Sequence, residues 1–165
     1  MKKILLSLAF ALVLTFSADA QPYRDAAGVT LGLDFSGTGA HLTALQWKHF
    51  LTHKNNLDII AGYEFKWGPT VSAVYEWCIS LDGEQNFYLF AGPGVRGGMV
   101  MNYNGSGDNC VNFGIAGAIA LEYKLTRTPL AFSVDWRPNV TWTPAVENKS
   151  GLRWKNCGVS VKFYF

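Results

Sequence analysis

The side chains able to do chemistry in this chain are few, and most sit singly inside apolar runs. Asp34, Asp58, Glu64, Glu76, Arg96, Glu122, Asp135, Arg137 and Lys162 are placed this way, together with Lys48, Lys66 and Lys124. The twelve divide into six acids and six bases, a set able to neutralise itself, and a buried charge is tolerable only when paired. They read as a structural ion-pair network rather than a catalytic centre. His41, His49 and His53 have no metal-binding helix beneath them, so no metal site is expected. Gly92-x-Gly94 with Gly97-Gly98 follows no helix-forming segment; a phosphate-binding loop is not expected there, and neither is a cofactor. Ser36 and His41 flank a Gly-Thr-Gly turn, with Asp34 in the same run. The three could in principle supply nucleophile, base and orienting acid. Ser and His beside such a turn are ordinary turn residues, however, and no acyl hydrolase or acyltransferase signature surrounds them. A lipid-modifying enzyme is therefore the alternative reading, and a soluble ligand-binding barrel the third.

The elements that must position these residues are legible from composition and periodicity. The chain has 165 residues, 49% of them apolar and 15% aromatic, with 17 Gly, three Cys and a net charge of +2. Such a composition excludes a disordered tail and a disulfide miniprotein, and the charge carries no footprint for nucleic acid. Lys2-Lys3, the apolar run 4–16 and Ala18-Asp19-Ala20 form the three regions of a secretory signal peptide. Cleavage after Ala20 divides the chain into a leader, 1–20, and a mature domain, 21–165, with 12 basic and 11 acidic side chains. No cysteine stands near the cleavage site, so no lipid anchor is expected.

Period-two alternation dominates the mature chain. Leu57, Ile59, Ala61, Tyr63, Phe65 and Trp67 share one strand face, against Asp58, Gly62, Glu64 and Lys66 on the other. Similar runs cover roughly 28–36, 42–51, 56–67, 70–80, 86–97, 111–125, 129–140 and 156–165. Run 42–51 tolerates either register, and Pro93 predicts a bulge or break in run 86–97. All twelve charges fall on one parity, and the apolar parity of these runs contains no Asp, Glu, Lys or Arg. A charge facing mid-bilayer lipid costs about 2–4 kcal/mol, so this sorting is what a hydrocarbon neighbour selects. Trp67, Trp77, Tyr123, Trp136 and Phe165 lie near strand ends, as girdle residues do. Gly and Ala crowd the charged parity, where a narrow lumen has little room. The expectation is an all-β fold: an eight-stranded antiparallel up-and-down transmembrane β-barrel. Connections 52–55, 81–85 and 126–128 are short; on the other side 98–110 and 141–155 are long and polar but 37–41 and 68–69 are short, which weakens without breaking the alternation expected of a barrel with both termini in the periplasm.

The leader, eight amphipathic strands in 145 residues and the ending Lys162-Phe163-Tyr164-Phe165 together resemble the small eight-stranded outer-membrane barrels of the OmpA and OmpX kind. Gly92-Pro93-Gly94-Val95-Arg96 and Asp135-Trp136-Arg137-Pro138 are similar to segments of the outer membrane protein β-barrel domain family. The resemblance covers the mature chain. It implies an outer-membrane location, surrounding lipid, a monomer, and a C-terminal strand read by the barrel assembly machinery. That signal maps onto Phe165, with Phe163, Val161 and Val159 on its face.

Eight strands enclose only enough space for side chains, so no diffusion porin is expected. Arg96 and Arg137 are placed to reach carboxylates such as Glu64, Glu76 or Glu122. Cys110 and Cys157 begin the sixth and eighth runs, and a disulfide between them would tie the two long loops together. Those loops carry Met99, Met101, Tyr103, Trp142 and Trp154. Such exposed aromatics suit contact with an extracellular protein or glycan.

Overall fold

A computed structural model describes residues 24–34, 39–65, 67–82, 86–103, 108–143, 150–154 and 156–165. The expected leader, Ser36 and Lys66 lie outside these residues, and Asp34 and His41 are described only as backbone positions in strands. Alternating apolar and polar residues, rich in Val, Ile and aromatics, give β1 (Asp25–Asp34), β2 (Gly39–Phe50), β3 (Asn55–Glu64) and β4 (Gly68–Ser80). They continue into β5 (Phe87–Tyr103), β6 (Asp108–Lys124), β7 (Leu130–Trp136), β8 (Asn139–Trp142), β9 (Ser150–Arg153) and β10 (Asn156–Tyr164). β7 with β8 forms the seventh barrel strand, and β9 with β10 the eighth. Each strand is antiparallel to the next, and β10 pairs with β1, which closes an eight-stranded barrel, with no helix among the described residues.

The registers define its shape. One line of paired residues runs Tyr123, Phe132, Val161, Val29, Leu45, Ala61, Val71, Gly97 and Phe113. The circuit leaves β6 at Tyr123 and returns to it at Phe113, ten residues nearer the opposite end. With about 3.3 Å per residue and about 4.8 Å between strands, a ten-residue shift over eight strands tilts them by about 40°. The two rims that Phe113 and Tyr123 mark are then about 25 Å apart along the axis, the height of a lipid-facing apolar band. Tyr63, Trp67, Trp142 and Trp154 lie with Phe113 at one rim, and Trp77, Phe87, Phe163 and Phe165 with Tyr123 at the other. Between them the usual order of a folded chain is inverted: Leu45 on the outer face is 69% exposed, whereas its neighbours Ala44 and Gln46 are buried in the lumen.

Two sequence expectations need correction here, and one holds in part. At Pro93 there is no bulge, β5 keeping its register with Pro93 opposite Gly117 of β6. The expected local break is in the ladder to β4, which lapses at Tyr75 and Glu76. The expected loop 98–110 is largely strand, because β5 and β6 support each other as a hairpin as far as Tyr103 opposite Asp108. The seventh strand is interrupted at Arg137 and Pro138, since proline has no N–H to give the ladder. Backbone bonds bridge the interruption, from Gly117 N to Pro138 O and from Arg137 N to Asn156 O, both 2.9 Å.

Beside that interruption the eighth strand holds a bulge. Trp136 pairs with Cys157 and Asn139 with Arg153, so two residues on one side face three on the other. One extra residue reverses the side-chain parity, which turns Arg153 inward and leaves Trp154 exposed outside. The Trp136 indole N–H donates to the Trp154 carbonyl, capping an acceptor that the bulge takes from the ladder. On the lipid-facing side a carbonyl that loses its donor has no water to replace it, so Trp136→Phe is expected to lower unfolding free energy by about 1–3 kcal/mol. Urea titration of the folded barrel measures it, and an unchanged midpoint and slope would remove the indole from this role.

Candidate functional site

The lumen is filled in layers, beginning at the end where Asp25 and Tyr164 lie beside the short turns. Ala26, Phe50, Cys78, Tyr88, Phe90 and Ala120 form a buried apolar plug, with Tyr164 packed against it. Phe50 meets Phe90 edge-on at 6.1 Å between centroids. These inward aromatics were missed by the sequence reading, which looked for aromatics on the lipid face. The signal was present: the parity of Arg96, Gly94 and Gly92, followed back along β5, turns Phe90 and Tyr88 inward.

Above the plug lie four paired charges. Lys48 Nζ is 3.5 Å from the centre of the Phe90 ring, 3.0 Å from Glu76 and 3.7 Å from Glu122. Lys162 pairs with Glu122 and donates to Ser133 Oγ at 3.0 Å. Run 42–51, which tolerated either register in sequence, is held by these pairs with Lys48 inward.

The next layer centres on Arg137. Its Nη2 donates to Asp58 and its Nε to Asp135, each at 2.8 Å. Gln46 Nε2 also donates to both Asp58 oxygens, at 2.9 and 3.0 Å, and Thr30 links Gln46 to Ser160. Arg137 thus pairs with acids other than the Glu64, Glu76 and Glu122 expected for it, because Asp135 is two residues away on the same face. Small residues make the room: a Cβ at Gly158 would lie 2.5 Å from Asp135 Oδ1.

Nearer the loop end, Glu64 takes Arg96 at 2.6 Å, as expected, and Arg153 at 3.0 Å. Arg153 was read as a loop residue; only the bulge, which sequence periodicity does not show, brings it in. Its guanidinium also stacks 4.5 Å from the centre of the Trp67 ring. Gly68, at φ 113°, lets the turn carrying Trp67 close against β5, where Met101 N donates to Trp67 O at 2.8 Å. Between this layer and Arg137 is a cavity of about 40 Å³, bordered by Arg96, Arg137, Asn139 and Asn156. It has room for a few waters and no solute of porin size. Lys124 stands outside these layers, at the terminal rim over the Tyr164 ring.

Cys78, Cys110 and Cys157 are free thiols. The expected bridge between Cys110 and Cys157 is not formed, and the registers explain why. Cys157 pairs with Trp136, and Trp136 with Ile119 of β6, nine residues below Cys110 on the same strand. At about 3.3 Å per residue that is about 30 Å along the strand, against a Cα separation of at most about 7 Å for a disulfide. Cys157 is thus a mid-barrel residue, because β9 and not β10 reaches the loop end. Phe165 is exposed just past β10, and Phe165 and Asp25 exchange both backbone hydrogen bonds.

This arrangement can hold charges in place and shut a lumen. Among the described residues no three His, Cys, Asp or Glu side chains gather as a metal site would need. No family model matches the chain, and no curated protein matches it in sequence. Solved structures do match in shape. A de novo designed transmembrane β-barrel superposes with a TM-score of 0.56 at 9% identity, covering 90% of this chain and all of that one. The crystal structure of Neisserial surface protein A gives 0.49 at 13% identity with the same coverage. At such identities the likeness is one of fold.

Proposed function

We propose that this chain is a monomeric outer-membrane barrel without a catalytic centre or an open pore, which uses its strands as an anchor and its loop end as a binding surface. The observation that carries the reading is the pairing of a continuous outward apolar belt about 25 Å tall with a lumen filled by mutually neutralised charges. Both termini then face the periplasm, and the outward aromatic strand ending at Phe165 meets the barrel assembly machinery. The β5–β6 hairpin, which carries Met99, Met101 and Val111 on its outer face, is the part placed to meet an extracellular protein or glycan.

Two measurements test this reading together. The unboiled protein from detergent-solubilised membranes is expected to migrate faster on an SDS gel than the boiled protein, and to be absent from the soluble fraction. The same material in a planar bilayer is expected to leave the baseline without stable conductance steps, since the plug and three charge layers block the axis. A soluble protein with no shift would overturn the membrane reading, and regular open-channel steps would overturn the shut lumen.

A further inference from the structure

The two ends of the lumen are closed by different means. At the turn end the rings of Phe50, Tyr88 and Phe90 fill the axis with carbon. At the loop end the closure is ionic, with Arg96 and Arg153 on the two oxygens of Glu64. The two arginines are not held alike. Arg96 sits on β5, which is paired on both sides, and its side chain is 9% exposed. Arg153 sits on β9, whose ladder among the described residues is to β8 alone, and its side chain is 21% exposed. From there its guanidinium reaches across the mouth to Glu64 and the Trp67 ring. When Arg153 swings away, Glu64 keeps Arg96 and Arg153 meets water, so no buried charge is orphaned. Arg137, one layer deeper, has no such freedom, because Asp58 and Asp135 both depend on it.

Beneath this closure lies the cavity of about 40 Å³. Three buried atoms of the residues that border it, Arg96 Nε, Arg137 Nη1 and Asn139 Oδ1, have no hydrogen-bond partner among the described residues. Buried polar atoms are ordinarily satisfied by protein or by water, and water enters where the space is polar and large enough. At about 10–15 Å³ for each molecule the cavity holds about three. Water both accepts and donates, so it serves the two N–H groups and the amide oxygen alike.

We propose that this cavity is a hydrated recess, blind at the plug, which exchanges its contents with solvent at the loop end when Arg153 leaves Glu64. Arg153 is the latch, and Arg96 the fixed part of the closure. The bulge in the eighth strand builds the latch, since without the extra residue Arg153 would point outward. A recess of this size takes water and solutes of two or three heavy atoms, which leaves the lumen shut to anything larger. The inference needs the closed registers and not the bilayer.

The test places a thiol in the recess with Ser72→Cys, a border position opposite Arg96 in register, and uses hydrogen peroxide as the small probe. After the detergent-solubilised barrel is exposed and unfolded, the fraction of each cysteine still alkylated by iodoacetamide, mapped by peptide mass, gives its oxidation rate. Oxidation at position 72 is expected to be slow and to rise several-fold between about 0.1 and about 1 M salt, because salt screens the half-exposed latch pair. Adding Arg153→Ala should speed it roughly tenfold and abolish the salt dependence, the scale of one half-exposed pair and one cation–ring contact. Removing a cation by itself leaves a thiol less ionised and slower to react, so the acceleration reports access. Cys78 in the plug is the internal control and should keep its thiol throughout. Equal rates with and without Arg153, no oxidation at position 72 in either variant, a salt-independent rate while Arg153 is present, or oxidation of Cys78 at the same pace would overturn the recess. Circular dichroism matching wild type shows that the variants are folded; should the double variant lose that spectrum, the salt dependence in Ser72→Cys alone decides.

Discussion

Arg137→Met is expected to lower the unfolding free energy of the inserted barrel by about 3–5 kcal/mol, the range for removing one partner from a buried ion pair. Among the described residues Arg137 is the one cation within bonding distance of both Asp58 and Asp135, and both carboxylates are buried. Methionine fills much of the same volume but leaves two anions facing each other across a closed lumen. Gln46 still donates to Asp58 through its amide, which carries no charge to offset the carboxylate. Urea titration in lipid vesicles reads the loss. The triple variant with Asp58→Asn and Asp135→Asn should recover most of it, because removing a buried pair together is far milder than orphaning one member. Arg153→Met supplies the contrast. Glu64 keeps Arg96 at 2.6 Å in that variant and is not left without a cation, so the loss should be about 1 kcal/mol. Similar losses for Arg137→Met and Arg153→Met would mean that the lumen is wet enough to screen its charges.

The difference between those two arginines also marks how far the sequence could be read. Arg137 follows Asp135 by two residues in an alternating run, so its inward placement is a matter of counting. The same counting places Asp58, Glu64, Glu76, Arg96, Glu122 and Lys162 inward, because hydrocarbon penalises every charge on the other parity and leaves a one-sided pattern. Arg153 obeys no such count: its parity depends on the extra residue between it and Cys157, and that bulge is defined by what strand seven pairs with rather than by any local signal. The cysteines failed for the same reason. Cys157 sits at the start of an alternating run, but the strand it belongs to continues toward the loops as β9, beyond the bulge. Tyr88 and Phe90 were overlooked because an aromatic can serve a lipid face or a lumen equally well, and only neighbours on the same strand decide between them. Hairpin β5–β6 extends past its expected end because strand pairing between adjacent segments needs no third strand and no apolar belt. Polar, Gly-containing sequence there resembles loop in composition while still placing Met99 and Met101 on one face.

Leu45→Arg gives the second large effect, and its sign separates two environments that share the same fold. Leu45 is exposed on β2, midway on the register line between the rims, flanked by Val29 of β1 and Ala61 of β3. If lipid surrounds it, arginine there should cost about 2–4 kcal/mol, the penalty for a cation near the bilayer midplane. In water the same substitution would replace an exposed apolar side chain by a solvated one and change stability by less than about 0.5 kcal/mol. Leu152→Arg is the internal control. It lies in β9 at the loop end, is as exposed as Leu45, and should cost about 0–1 kcal/mol, as near-interface sites do. Vesicle-inserted barrels unfolded in urea should therefore rank wild type and Leu152→Arg together, well above Leu45→Arg. Two leucines of similar exposure at different heights along the axis then report the membrane, since neither side chain packs into the lumen. Equal stability of the two variants would place water against the belt. The closed registers would survive that result, but the filled lumen would become the core of a soluble barrel and the apolar belt a surface in need of another cover.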